Sequence, residues 1–331
     1  MAYDALLVVS FGGPERSEDV VPFLENVLRG RNVPRERMLE VAEHYHHFGG
    51  VSPINTQTRE LIAALHRELA ECGLHLPIYW GNRNWHPLLP EAVRQMAEHG
   101  VRRALAYVTS AYSSYSGCRQ YRENIEAARD EIGSRAPVID KLRVFYNHPS
   151  FIATLADRVQ QALNQVPAER RGAAHILFTA HSIPIAMAQT CRYESQLVET
   201  CRLITERLGH EQARLVYQSR SGPPSQPWLT PDVGDAIREL HRAGTASDVV
   251  IAPVGFLSDH LEVLYDLDVQ ANELCKSLGL VMVRAGTAGT HPRFVQMIRE
   301  LVMERISEQP ERLALGNLGP SHDLCPPDCC K

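Results

Sequence analysis

Residues Val249–Asp268 read VVIAPVGFLSDHLEVLYDLD. The segment starts with an unbroken apolar run, Val249–Val254, and continues beyond Gly255 as an amphipathic pattern. Unbroken apolar runs of this length are typical of parallel strands that are covered on both faces. We therefore predict a buried strand, then a loop, then a helix for which Ser258 is the expected N-cap.

The same unit recurs along the chain. Short apolar runs that predict further strands lie at Ala5–Ser10, Leu76–Gly81, Ala104–Thr109, His175–Thr179, Arg214–Gln218 and Leu280–Arg284. Helical patterns separate them, one with Ser17 as its expected N-cap and one with Pro292 in its first turn. Alternation of strands and helices indicates right-handed βαβ units, and so an α/β protein with mostly parallel sheets.

The length of 331 residues is about twice that of a typical domain. A strand-like segment ends near Tyr146–Ser150, and we expect the boundary there. We predict an α/β domain at 1–146, a second at 147–308 and a cysteine-bearing tail at 309–331, with the last helix a candidate to pack on the first domain. The carboxyl ends of the two sheets should face a cleft, where the chemistry is expected.

Composition excludes several classes of function. An apolar fraction of 44% and a charged fraction of 22% are typical of a soluble globular protein, and a net charge of -5 argues against nucleic-acid binding. The sequence contains no apolar run long enough for a membrane span. The start of the chain resembles a strand rather than a signal peptide, which predicts a cytoplasmic protein. Phe11-Gly12-Gly13-Pro14-Glu15 is no dinucleotide fingerprint, and no P-loop motif occurs.

Three side chains suggest acid–base chemistry. His181 follows a predicted strand, where it either faces the cleft or serves only as a packing or capping residue. Glu262 and Asp266 are four residues apart on one face of the predicted helix. Acid enrichment in a first helical turn is an alternative explanation, but it does not account for an acidic line that continues inward. An imidazole opposite carboxylates can accept protons and bind a divalent cation.

Trp228 lies in a proline-rich loop after another predicted strand. The proline density indicates an ordered loop rather than a linker. Trp228 is either a core anchor or a flat wall for a planar ligand.

Six motifs together resemble the ferrochelatase family, whose members insert ferrous iron into a porphyrin. The resemblance runs from about Ala5 to Leu301. The motifs are Phe11–Pro14, Gly49–Ile54, Ser110–Cys118, His181–Pro184, Gln218–Leu229 and Gly255–Val263.

This resemblance implies a type II chelatase fold: two Rossmann-like domains with parallel four-stranded sheets flanked by helices, and the porphyrin in the cleft between them. It implies that His181 is the active-site histidine, that Glu262 is its partner, and that both contact the Fe²⁺ substrate. Asp266 would continue the acidic line as a third catalytic residue. Gln270 is an amide where some relatives have a carboxylate, and Phe11 replaces a tyrosine, so Phe11 can stack on a porphyrin but cannot ligate iron.

The resemblance is closest to bacterial enzymes that metalate coproporphyrin III, which carries four propionates. Protoporphyrin IX remains the alternative substrate. Two further alternatives for the function are a non-catalytic porphyrin- or haem-binding iron–sulfur protein and a chelatase for another metal or tetrapyrrole. Charged donors suit propionates, although arginines at the end of a helix also complement its dipole. The expected substrate-binding residues are Phe11, Arg29, Arg31, Ser52, Tyr121 and Trp228.

The tail carries Cys325, Cys329 and Cys330. Thiols crowded on one tail of a chain of this size suggest soft metal ligands rather than a disulfide framework. The resemblance extends to ferrochelatases that hold a [2Fe–2S] cluster with three such thiolates and one internal cysteine, since four thiolates complete the cluster. Cys191 is the preferred internal ligand and Cys118 the alternative; a zinc site or a reducible tail would also explain the pattern.

Overall fold

The computed structural model describes residues 3–30, 33–223, 225–326 and 329–330. Its strands are β1 Ala5–Ser10, β2 Ile78–Asn82, β3 Arg103–Val108, β4 Val138–Lys141, β5 His175–His181, β6 Ala213–Gln218, β7 Asp248–Ala252 and β8 Val281–Arg284.

The helices alternate with these strands. They are α1 Val20–Val27, α2 Arg35–His47, α3 Ile54–Glu71, α4 Leu89–Glu98, α5 Gln120–Ile132, α6 Pro149–Leu163, α7 Ala168–Arg171, α8 Ile185–Ala188, α9 Tyr193–Leu208, α10 Val233–Ala243, α11 Leu261–Val263, α12 Asn272–Ser277 and α13 Pro292–Ile306. Two π-helical segments, Tyr115–Arg119 and Leu264–Ala271, and two 3₁₀ turns, Ser17–Asp19 and Gly133–Arg135, join them.

The strands form two parallel four-stranded sheets, which confirms the predicted fold class. The first sheet has the order β2-β1-β3-β4 and the second the order β6-β5-β7-β8. In each sheet the chain adds one strand on one side and then crosses to the other side. Open parallel sheets bind ligands beyond their carboxyl ends at such a reversal, which here falls between β1 and β3 and between β5 and β7.

Strand β4 is the one that the apolar pattern did not predict. It has four residues, Val-Ile-Asp-Lys, and lies at an edge of the first sheet with Val138 half-exposed. A short edge strand needs no unbroken apolar run, so its sequence carries little signal.

Two of the expected helix starts are wrong. Ser17 begins a 3₁₀ turn, and its hydroxyl pairs with Nδ1 of His46 at 3.1 Å instead of capping α1. The helix expected at Ser258 begins only at Leu261, where Nδ1 of His260 accepts the backbone N–H of Val263 at 3.2 Å. A neutral imidazole nitrogen can replace a serine oxygen as the cap acceptor. The placement of Pro292 in the first turn of a helix is confirmed.

One apolar core runs through both halves of the chain. It contains Leu6 and Tyr107 from the first sheet, Ile176 and Val250 from the second, and Phe294 of α13. Helix α13 packs against both α3 and α6. The predicted boundary between residues 146 and 147 remains a prediction, because this core is shared across it.

The segment after α13 is fixed by a buried ion pair. Arg143, which follows β4, donates from Nε to Oε1 of Glu304 in α13 at 2.8 Å, and both side chains are almost completely buried. Arg312 adds a second guanidinium on Glu304 at 3.1 Å and donates to the carbonyl of Ser321. Asn147 donates to the carbonyls of Leu315 and Gly319, so side chains on two elements hold the segment that leads to Cys325.

Among the helices of the described residues, none combines the length and the apolar character that crossing a bilayer would require.

Candidate functional site

The candidate site lies where the strand order of the second sheet reverses. Strand β5 ends at His181, its neighbour β6 ends beside it at Gln218, and β7 leads into the loop that starts at Pro253. At the reversal, a Cβ on Gly255 would lie 2.6 Å from Cβ of Ala180, and the Gly255 N–H donates to the carbonyl of Thr179 at 3.0 Å. Only glycine allows the β7 loop to lie this close to the end of β5.

The imidazole of His181 is fixed in one tautomer by its own backbone. Nδ1 lies 2.5 Å from the carbonyl oxygen of Ser182, and a carbonyl can only accept, so Nδ1 carries the proton in the neutral ring. Nε2 is then left with its lone pair and lies 3.8 Å from Oε2 of Glu262. The two side chains are 35% and 47% exposed, so both are accessible to a ligand.

Asp266 differs from Glu262 in its surroundings. Its side chain is largely withdrawn from solvent, and its carboxylate accepts hydrogen bonds from the Ser219 hydroxyl and from the Gln218 amide, the latter at 3.3 Å. Burial raises the pKa of Asp266 to about 6, and the nearby negative charge of Glu262 adds to this rise. The two acids of the predicted line therefore lie in different environments.

The helix type between these acids differs from the prediction. The spacing of Glu262 and Asp266 predicted an α-helical stripe, whereas Leu264–Ala271 forms a π-helix after one short α-helical turn. Such wider turns occur frequently at functional sites. The apolar pattern of the segment cannot distinguish the two helix types, since both place residues four apart on neighbouring turns.

Residues on α2 in the first half of the chain also reach this site. The ring of His44 stacks on Tyr265, the neighbour of Asp266, with centroids 3.9 Å apart.

A second histidine, His260, caps α11 and places Nε2 at 4.0 Å from Oε2 of Glu262. Sequence analysis did not identify His44 or His260; three histidines within residues 44–47 were the only available signal for α2.

An aromatic and cationic surface lies at the corresponding edge of the first sheet. Phe11, just after β1, packs edge-on against Phe23, with centroids 6.3 Å apart. The Arg83 guanidinium lies 5.7 Å from the Phe11 ring and 4.5 Å from the Tyr121 ring. Arg83 donates to Asn124 at 2.7 Å, and no carboxylate of the described residues lies within ion-pair distance of it. Arg83 was not predicted from the sequence, although it directly follows β2.

The remaining candidates for substrate binding lie in varied environments. Ser52 and Tyr121 are buried, and Trp228 is buried against Gly222, at which a Cβ would clash with the indole. Arg29 is exposed and donates to Oδ1 of Asn26. Arg31 lies outside the described residues.

Five cysteines from distant parts of the chain form a second cluster, which we call the thiol site; its members are Cys118, Cys191, Cys325, Cys329 and Cys330. The Sγ atoms of the adjacent Cys329 and Cys330 are 3.6 Å apart. Ligand atoms of His322, Cys325 and Cys329 lie within 4.8 Å of one another, and His322 was not identified from the sequence.

The two candidate internal cysteines have different contacts. Cys118 is buried and exchanges a thiol hydrogen bond with Cys325, and this bond together with Lys141 lowers the pKa of Cys118. Cys191 donates its thiol to the carbonyl of Met187 at 3.2 Å, and burial raises its pKa. Cys118 thus interacts with Cys325 of the tail, and Cys191 interacts with Cys329 and Cys330, so the preference for Cys191 as the internal ligand remains a prediction.

Comparisons with known proteins agree with this architecture. The ferrochelatase family model matches residues 3–306. A ferrochelatase from Rhodopirellula baltica is 59% identical over 328 residues, covering 99% of this chain and 93% of its own. A coproporphyrin III ferrochelatase from Streptomyces coelicolor is 51% identical over 350 residues, with the same coverage of 99% and 93%.

Solved structures extend the similarity of the fold. The sirohydrochlorin chelatase SirB from Bacillus subtilis subspecies spizizenii, in complex with cobalt, gives a TM-score of 0.54 at 9% identity and covers 91% of this chain and 94% of its own. CbiX, described as the terminal enzyme of sirohaem biosynthesis in denitrifying bacteria, gives 0.52 at 14% identity and covers 92% and 100%. At these identities the likeness concerns the fold alone.

The raised pKa of Asp266 makes the stability of the fold depend on pH. Its pKa is 3.8 when exposed and about 6 in the folded chain, so the folded state binds the proton more tightly and loses stability as the pH rises from 4 to above 6. At ~1.4 kcal/mol per pKa unit, the ionised carboxylate costs about 3 kcal/mol at pH 7. We therefore expect the free energy of unfolding of Asp266→Asn, measured in urea, to rise relative to that of the wild type by about this amount between pH 4 and pH 7.

The matched control is Asp235→Asn, since Asp235 is exposed on α10 and pairs only with Arg238 at 3.1 Å. Its free energy of unfolding should stay within about 0.5 kcal/mol of the wild type at both pH values. Equal pH dependence of Asp266→Asn and wild type would contradict the raised pKa.

Proposed function

Because this chain belongs to the ferrochelatase family, we propose that it inserts Fe²⁺ into coproporphyrin III in the cleft around His181. The observation that carries the proposal is the pairing of a single-tautomer imidazole with a carboxylate at the reversal of strand order, 3.8 Å apart and open to the cleft. Iron insertion into a porphyrin is a step of haem biosynthesis, and the lack of disulfides among the described cysteines suits a cytoplasmic location.

Insertion replaces two pyrrole N–H protons of the porphyrin by one iron ion. His181 accepts a proton at Nε2, because Nδ1 already donates to the Ser182 carbonyl. The negative charge of Glu262 stabilises the imidazolium that results, and its second oxygen is free to contact the Fe²⁺ substrate.

Asp266 has a different task in this mechanism. With a pKa of about 6 it is present in both protonation states near neutral pH, so it can receive a proton that leaves the cleft and release it again. Ser219 and Gln218 hold its carboxylate toward β5 and β6. The two acids thus divide iron contact and proton removal between them.

The choice of porphyrin rests on charge at the edge of the first sheet. Coproporphyrin III carries four propionates, and Arg83 is a half-buried cation whose charge is not paired among the described carboxylates. We add Arg83 to the predicted contacts, which are Arg29, Arg31, Ser52 and Tyr121 for carboxylates and Phe11 and Trp228 for the ring. The relatives named coproporphyrin III ferrochelatase, at 45–51% identity, support the same choice.

We also propose that the thiol site holds a [2Fe–2S] cluster. The donor set fits, because four cysteines from two distant segments approach one another and the buried Cys118 contacts Cys325 directly. Cys118, Cys325, Cys329 and Cys330 would be the ligands, and Cys191 would lie beside them. When bound, such a cluster supplies a redox-active centre and a covalent link between the Ser110–Cys118 loop and the tail.

The first prediction concerns the substrate. We expect kcat/KM for Fe²⁺ insertion to be about tenfold or more higher with coproporphyrin III than with protoporphyrin IX, since each extra charged hydrogen bond contributes about 1.5–3 kcal/mol. Loss of the free-base porphyrin spectrum under anaerobic conditions measures the rate. Arg83→Leu should reduce this ratio, whereas Arg94→Leu, which removes an exposed pair with Glu131 on the outer helices, should not. A ratio that favours protoporphyrin IX would overturn the choice of substrate.

The second prediction concerns the imidazole. His181→Ala should lower kcat by about 10²- to 10⁴-fold, the usual contribution of a general base, while the affinity for porphyrin stays within a few-fold. Steady-state kinetics and fluorescence quenching of bound porphyrin provide the two measurements. His175→Ala is the control, since His175 begins the same strand at its opposite end. Near wild-type turnover of His181→Ala would refute the proposed role.

The third prediction concerns the thiol site. Protein purified without oxygen should contain iron and acid-labile sulfide in equal amounts and show the visible absorption of a [2Fe–2S] centre. Cys118→Ser and Cys330→Ser should both lose this absorption, whereas Cys191→Ser and the exposed Cys72→Ser should retain it. Stoichiometric zinc without sulfide would instead identify a zinc site built on His322, Cys325 and Cys329.

A further inference from the structure

One buried residue contacts both the thiol site and the catalytic histidine. Tyr193 is the first residue of α9 and is 7% exposed. Its backbone N–H lies close enough to Sγ of Cys191 to act on that thiol, which interacts in turn with Cys329 and Cys330. Its phenol donates to the backbone carbonyl of His181 at 3.0 Å. Tyr193 therefore links the two sites, through its backbone on one side and its phenol on the other.

The contact with His181 bears directly on the orientation of the imidazole. The ladder between β5 and β7 ends at Phe178 and Ala252, so β7 does not hold the backbone of His181. On the other side, the Ser182 N–H donates to the Gln218 carbonyl at 2.8 Å. Because Nδ1 of the imidazole bonds to the Ser182 carbonyl, a rotation of the backbone at residues 181–182 changes the direction of Nε2.

The ring of Tyr193 and the first turn of α9 are held by further buried contacts. The Tyr193 ring packs edge-on against Tyr112, with centroids 6.1 Å apart, and the Tyr112 phenol donates to the carbonyl of Val254 at 3.0 Å. One turn further along α9, the buried Gln196 accepts the Ser113 N–H at 2.7 Å and donates to the Ser113 hydroxyl at 3.0 Å.

Ser113, to which Gln196 is hydrogen-bonded, lies five residues before Cys118 of the thiol site. The next residue, Ser114, accepts the Cys118 N–H at its carbonyl, at 2.9 Å, and so begins the turn that carries Cys118. The first turn of α9 therefore contacts the thiol site through Cys191 and through the Cys118 segment.

We propose that Tyr193 is a positioning residue for His181, and that it makes the orientation of the imidazole dependent on whether the thiol site is occupied. An occupied thiol site fixes the Cys118 segment and the surroundings of Cys191. The first turn of α9 is then fixed, and the Tyr193 phenol holds the His181 carbonyl. The inference rests on the proposed function for its meaning in catalysis, but the physical coupling is measurable without it.

The test uses the full chain with Tyr193→Phe, which keeps the ring and removes the hydroxyl. We expect an unchanged visible spectrum of the thiol site, an unchanged KM for porphyrin and a kcat about three- to tenfold lower, the size expected for one buried hydrogen bond. Tyr107→Phe is the matched control, because the buried Tyr107 hydroxyl has no hydrogen-bond partner among the described residues. That variant should keep the wild-type kcat.

Coupling is measured by a double-mutant cycle that combines Tyr193→Phe with Cys330→Ser. Its two readouts are kcat and the NMR signal of the His181 ring. That signal is assigned by its absence in His181→Ala. In the wild-type background, loss of the cluster should shift this signal and lower kcat; in the Tyr193→Phe background both effects should largely disappear. If Cys330→Ser folds poorly, Cys191→Ala serves instead: it should shift the His181 signal while the cluster spectrum is retained.

Additive effects of Tyr193→Phe and Cys330→Ser on the His181 signal, or a wild-type kcat for Tyr193→Phe, would overturn the inference. Failure of the proposed function is distinguishable, since the wild-type chain would then insert no Fe²⁺ while the NMR shifts could still be coupled.

Discussion

The contact between Gly255 and Ala180 is the constraint on which the site depends. It brings the β7 loop against the end of β5, at the reversal of strand order, with no space for a side chain on Gly255. Because β6 ends on the other side of β5, His181, Gln218 and the segment that carries Glu262 share one edge of the sheet. The first sheet repeats this strand order, with Phe11 after β1 and the Ser110–Cys118 segment after β3. A porphyrin in the cleft would thus meet the carboxyl ends of both sheets.

Most of the fold was predictable because seven strands have short, largely apolar sequences, and such runs mark parallel strands. Strand β4 was not predicted, since two of its four residues, Asp140 and Lys141, are charged. His181 and Glu262 were identified because each follows a strand. Arg83 and His44 act through neighbours that are distant in sequence, and a local pattern holds no information on those distances. The π-helix escaped prediction because residue spacing alone does not distinguish it from an α-helix.

Environment, more than residue type, differentiates the acidic groups of the site. Glu262 is exposed beside an imidazole, whereas the chemically similar Asp266 is largely withdrawn from solvent, and this burial raises the pKa of Asp266. The tautomer of His181 is likewise set by a backbone carbonyl and not by an acid partner, which leaves Glu262 free for a metal ion. Backbone geometry and burial thus give His181, Glu262 and Asp266 three different environments.

The thiol site also imposes an order on the synthesis of the protein. Cys118 and Cys330 lie about 200 residues apart in the chain, and ribosomes add roughly 5–20 residues per second, so on the order of 10–40 s separate their appearance. Cys325, Cys329 and Cys330 reach the site only through a segment that is held by Arg143 and by Asn147. The thiol site therefore cannot assemble on a nascent chain that lacks this segment. Assembly of the site marks a chain that has been translated past Cys330 and folded.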